Sequence, residues 1–155
     1  MKNKFILLVV VSLTIFACKK EEKQQATDEI KSENPQEVAA AVKECYEYVQ
    51  GKDTIKGTFL IQENAVSGDL IYKLYQKDKN TGKLTGTING DTLLADYLFI
   101  SEGMTSVRQI VFLRKNKTLV EGFGEIEEIE NKMVIKDRKK VNFTSGIVLN
   151  EIPCE

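Results

Sequence analysis

From Glu44 onward, apolar side chains alternate with polar ones in short runs broken by Gly, Asn and Asp. Period two is the spacing of a half-buried strand, because successive side chains point to opposite faces. The runs fall at 45–49, 54–62, 66–76, 82–88, 92–101, 105–114, 118–127, 133–136, 139–144 and 148–152. The gaps between them are too short for crossover helices and favour sequential antiparallel pairing, a meander. The expected fold is all-β. An antiparallel meander of about 8–10 strands closes into a small β-barrel, with a two-sheet sandwich as the competing arrangement.

Two stretches are sharper than the rest. Asn89-Gly90 stands between alternating runs and predicts a hairpin in which both turn residues take positive φ. Beyond it, Leu93, Ala95, Tyr97 and Phe99 share one face, and Leu94 and Leu98 on the other face suggest a strand covered on both sides. The second stretch is residues 77–82, a polar loop of hairpin length. Gly57, Gly68, Gly86, Gly122 and Gly124 fall inside or beside runs, where a missing side chain permits curvature.

Before the β region the pattern changes twice. Lys2 and Lys4 precede an apolar stretch at 5–17. As a helix this stretch would reach only about 20 Å, short of a ~30 Å hydrocarbon core, and it has the layout of a signal peptide. Ile15-Phe16-Ala17-Cys18 resembles the bacterial lipobox. The resemblance implies cleavage after residue 17, lipidation of Cys18, and anchoring in an outer membrane on its periplasmic or outer side. Each buried acyl methylene contributes about 0.8 kcal/mol to such an anchor. Lys19-Lys20-Glu21-Glu22 is similar to the surface-export signal of bacteroidete lipoproteins, and reads equally well as the solvated start of a tether. Residues 18–34 are almost all polar and are expected to be a flexible spacer. Asn34-Pro35-Gln36-Glu37 has the residues of a helix start, so a short helix is expected to run to about residue 43, with an extended linker end as the alternative. The remaining domain is 35–155.

With Cys18 lipidated, Cys45 and Cys154 are left, one in the first strand and one at the end of the chain. First and last strands are neighbours in an up-and-down barrel, and an exported chain favours pairing, so a Cys45–Cys154 disulfide is expected.

The chain has no histidine, which removes imidazole acid–base chemistry and His-based triads. No phosphate-binding loop, nucleophile elbow or CxxC occurs, and no basic–aromatic interleave points to nucleic acid. No catalytic residue, cofactor or metal site is expected, and the chain reads as a non-enzyme. Glu121, Glu125 and Glu127 alternate with one another and read as a solvated strand face. Residues 101–108 join two apolar runs and carry Glu102 and Arg108. One reading makes them an exposed hairpin tip with Gly103 at positive φ and Arg108 outside. The other puts Glu102 or Arg108 at a barrel mouth, the place where small barrels bind ligands. Tyr46, Tyr48, Tyr72, Tyr75 and Tyr97 are candidates to line such a mouth.

Residues 86–99, 101–103 and 120–124 together resemble a group of small bacteroidete lipoproteins. The resemblance implies an anchored β domain and brings no functional residues with it. Architecture alone is similar to membrane-bound lysozyme inhibitors. Asp53-Thr54-Ile55 and Asp91-Thr92-Leu93 each resemble the O-glycosylation acceptor of bacteroidete exported proteins. The expected function is a lipid-anchored binding or interaction module for a small molecule or a protein. The alternative is an inhibitor or envelope-stress protein that blocks an enzyme through 101–108.

Overall fold

The computed structural model describes residues 39–155. The expected signal segment, lipidation site at Cys18, spacer and helix start at Asn34 lie outside the described residues. Ten strands follow: β1 (Val42–Gln50), β2 (Asp53–Gln62), β3 (Ala65–Lys73), β4 (Asn80–Asn89), β5 (Thr92–Ser101), β6 (Met104–Lys115), β7 (Thr118–Gly122), β8 (Ile126–Ile129), β9 (Lys132–Ile135) and β10 (Val148–Ile152). The expected helix does not reach residue 43. Val42 and Lys43 pair with Ile61 and Leu60, so the β1–β2 ladder takes the place of a last helical turn.

Strands β1 to β7 pair in sequence, each antiparallel to the next. β10 then fits between β7 and β1 and closes the ring. The result is an eight-stranded antiparallel barrel with two extra strands. The β8–β9 hairpin sits outside the ring and attaches through a short parallel pairing of β9 with Val107 and Arg108 of β6. β6 can serve both partners because it is long: Val111–Lys115 pairs with β7, and the part before it is free for β9.

Every hairpin except β3–β4 turns in two residues, the tightest link that antiparallel strands allow. The Asn89 hairpin is shifted from its expected position by one residue. Asn89 stays on the ladder opposite Thr92, the turn is Gly90-Asp91, and of these only Gly90 takes positive φ. The β5–β6 turn has positive φ at both Glu102 and Gly103.

Three expected strands need correction. The third run stops at Lys73, and 74–79 form the β3–β4 loop. The run at 118–127 divides: β7 ends at Gly122, and β8 begins at Ile126. Residues 139–144 form no strand. Their alternation is real, but Arg138–Lys140 make a 3-10 turn, and Val141 and Phe143 lie where a side chain on Gly122 would have to go. At Gly122 the chain leaves the barrel, and these two side chains fill the space a Cβ would need. Gly86 answers a different constraint: a Cβ there would run into the Leu94 carbonyl and Ala95 on the facing strand.

The barrel axis is solid through its middle. Ile55, Phe59, Leu70, Leu84, Leu93, Tyr97, Phe112, Leu119 and Leu149 are fully buried there, drawn from β2 to β7 and β10. Each such side chain contributes about 1.5–3 kcal/mol relative to exposure. The face of β5 bearing Leu93, Ala95 and Tyr97 is inside, as expected. Its opposite face is not covered throughout, since Leu98 and Ile100 are exposed. The Cys45–Cys154 disulfide ties β1 to the segment after β10, with Cα atoms 5.3 Å apart.

Candidate functional site

The inward face of β6 carries an arginine near each end of the barrel. Arg114 lies near the end where the β2–β3, β4–β5 and β6–β7 turns gather and where β1 begins. It donates from one guanidinium nitrogen to both oxygens of Glu44, at 2.8 and 3.0 Å, and Tyr46 donates to the same carboxylate at 2.7 Å. Burial and the Glu44 charge push the Tyr46 hydroxyl up to about 12. Cation, anion and phenol satisfy one another, and this end is sealed.

Arg108 lies towards the other end. Its register partner on β5 is Tyr97, a fully buried inward residue, so Arg108 points into the barrel and not to the outer face. The guanidinium carbon is 4.9 Å from the Tyr72 ring centre, 5.4 Å from Phe99 and 5.6 Å from Tyr97. Tyr97 and Phe99 stack with centroids 5.0 Å apart, and Tyr97 donates to the Leu70 carbonyl at 2.8 Å, which fixes the platform. Yet no carboxylate pairs with Arg108, and its buried Nε has no hydrogen-bond partner. A buried polar group without a partner is uncommon in a folded protein.

Glu121, on β7, faces the same space. Only 5% of it is exposed, and it accepts from the Tyr72 hydroxyl at 2.8 Å. This overturns its expected place on a solvated face. Glu121 has the same strand parity as the buried Leu119, and parity wins over its charge. Burial raises its carboxyl above the ordinary range, with the Tyr72 hydroxyl and the Arg108 charge pulling it partway back. Burial, then the Glu121 charge, keep the Tyr72 hydroxyl well above its usual value, and Tyr97 is raised to about 12 by burial. Lys77 and Asp78 of the β3–β4 loop stand at the rim. Glu125 and Glu127 do not join the site: they are exposed beyond the end of β7.

Two cavities meet at Arg108, Glu121 and Phe123. One, of about 440 Å³, runs between β6, the end of β7 and the β8–β9 hairpin, past Phe99, Ile126 and Met133. The other, of about 360 Å³, opens between Tyr72, Leu74, Ile147 and the β3–β4 loop. Glu102 lies away from both, exposed at the tip of the β5–β6 turn. Of the five tyrosines, Tyr72 lines the smaller cavity at the open end, and Tyr97 lies fully buried against Arg108. Tyr46 belongs to the sealed end, Tyr48 packs against the core, and Tyr75 is exposed with Lys52 over its ring at 4.3 Å. Among the described residues, no three His, Cys, Asp or Glu side chains converge as a metal-binding group.

The fold and site define a small closed antiparallel barrel, solid in the middle, sealed at one end and cupped at the other. Comparison with family models, curated proteins and solved structures gives no match.

Proposed function

We propose that this chain is a lipid-anchored envelope protein of the bacteroidete lipoprotein type, whose barrel is a binding module that takes a small ligand at its open end. The observation that carries the binding reading is Arg108, a half-buried cation held on three aromatic rings, without a protein acceptor, where two cavities meet. Cavities of about 300–1,000 Å³ with an apolar lining and a few convergent polar groups are the usual form of a small-molecule site. The anchor reading rests on the sequence around Cys18.

Two experiments test this. Palmitate labelling in a bacterial host should be lost in Cys18→Ala, and an unlabelled chain with Cys18 intact would remove the anchor. A thermal-shift screen of the mature chain against small molecules should give hits that disappear in Arg108→Met. Hits that survive that substitution would place binding elsewhere.

A second reading has one observation in its favour. Leu98 and Ile100, on the outer face of β5, are 51 and 56% exposed, and Met104, beside the β5–β6 turn on the other face of the hairpin, is 70% exposed. An inhibitor acting through 101–108 would use these apolar side chains. Met104→Glu would then abolish its effect on a target enzyme and leave ligand binding at the open end unchanged.

A further inference from the structure

We infer that the open end is an oxyanion site for an amphipathic monocarboxylate, a chain or ring system ending in one carboxylate that meets the Arg108 guanidinium. This rests on the small-ligand reading above and adds the charge and shape of the ligand. The two arginines of β6 are an internal control. Arg114 has a carboxylate across its guanidinium at 2.8–3.0 Å. Arg108 has the same chemistry and the same inward face, and lacks only the acceptor. A guanidinium presents parallel N–H donors that fit a carboxylate, and charge-assisted bonds of this kind are about twice as strong as neutral ones. Three aromatic faces hold the Arg108 head in place, so a ligand does not have to order it on binding.

Glu121 does not fill the role of acceptor. It accepts the Tyr72 hydroxyl, and no ion pair joins it to Arg108. Its position selects the head group instead. A dianion at Arg108 would lie beside a second carboxylate, and a single negative charge is repelled less. A cation would meet the guanidinium. The apolar body follows from the walls of the larger cavity, where Phe99, Phe123, Ile126 and Met133 lie beyond the arginine.

Isothermal titration calorimetry on the mature chain tests this with four probes of one tail: decanoate, decanol, decylammonium and decyl phosphate. Decanoate should bind at least tenfold more tightly than each of the others. Arg108→Met, which keeps most of the side chain's bulk on the rings, should weaken decanoate at least tenfold and change decanol less than threefold. Glu121→Gln retains an acceptor for Tyr72 and removes the neighbouring charge, so decanoate should tighten in it. This variant tests the assignment even if Arg108→Met fails to fold. Decanol, decylammonium or decyl phosphate binding as well as decanoate would overturn the monocarboxylate and leave a small-ligand site standing. Unchanged decanoate affinity in Arg108→Met, or unchanged or weaker affinity in Glu121→Gln, would do the same. Failure of all four probes to bind would overturn the monocarboxylate, and the small-ligand reading falls with it only if the thermal-shift screen is silent as well.

Discussion

The two ends of the barrel are built from the same parts to different effect. Each has an inward arginine on β6, a carboxylate on another strand that is wholly or partly buried, and a tyrosine hydroxyl donating to that carboxylate. At the sealed end Glu44 takes both Arg114 and Tyr46. At the open end Glu121 takes Tyr72, and Arg108 rests on aromatic rings. The difference lies in what surrounds each arginine. Near Arg114 the ring of strands is complete and tightly linked by two-residue turns. Near Arg108 the ring loosens, because β7 ends at Gly122 and the chain departs to make β8 and β9 before returning as β10. The cavity lies at that departure.

The sealed end should therefore carry more of the stability. The largest effect is expected from the disulfide, which closes a sequence separation of 109 residues. Replacing Cys45 and Cys154 by serine should cost about 4 kcal/mol in urea unfolding. A cost below about 1 kcal/mol would mean that the β1–β10 ladder alone holds the ends together. Next, Arg114→Met should cost about 2 kcal/mol, since it strands Glu44, whose side chain is 19% exposed. Arg108→Met should stay within about 1 kcal/mol of wild type, because the lost cation–π contacts are offset by removing a partly desolvated charge that has no carboxylate partner. Equal losses at both positions would erase the distinction between the ends.

The smallest effect concerns pH. The folded chain holds the Glu121 proton above its ordinary 4.5, chiefly through burial. The unfolded chain releases that proton first as pH rises. The associated stability is therefore full below about 4.5 and is lost as pH climbs through the folded value. Glu121→Gln cannot ionise, so it should raise Tm at neutral pH, with the gain fading as pH falls through the folded value and gone below about 4.5. The groups facing Glu121 are Tyr72 from β3, Arg108 from β6, and Lys77 and Asp78 at the rim. Repeating the comparison in Tyr72→Phe separates the hydrogen bond from desolvation. A gain that persists unchanged at pH 4 would assign the effect to packing.

Much of the barrel was legible in the sequence because one physical rule governs most of it. A strand with one face on a packed core must alternate, and Leu93, Ala95 and Tyr97 do so without ambiguity. The disulfide followed from the same closure. The site was half legible. Residues 101–108 drew attention as a link between strands, but the tip itself, with Glu102, is plain solvent-exposed turn. Arg108 works from within the strand, and its parity with Ile110 and Phe112 already put it inside. Glu121 is hard to read from sequence because a carboxylate in an alternating pattern ordinarily marks the wet face, although Leu119, two residues before it, fixes this face as the dry one. The excursion from β7 to β10 was illegible for a different reason. Val141 and Phe143 alternate because both cover Gly122, and that contact depends on where β7 leaves the barrel, which no local pattern encodes.

The contrast between the ends is tested most directly by amide chemical-shift mapping of the mature chain during a decanoate titration. Shifts should gather at Phe99, Arg108, Glu121 and Phe123 and leave Glu44, Tyr46 and Arg114 unmoved. Shifts centred on Arg114, or on the exposed Leu98, Ile100 and Met104 of the β5–β6 hairpin with the open end silent, would contradict the assignment of the open end as the binding end.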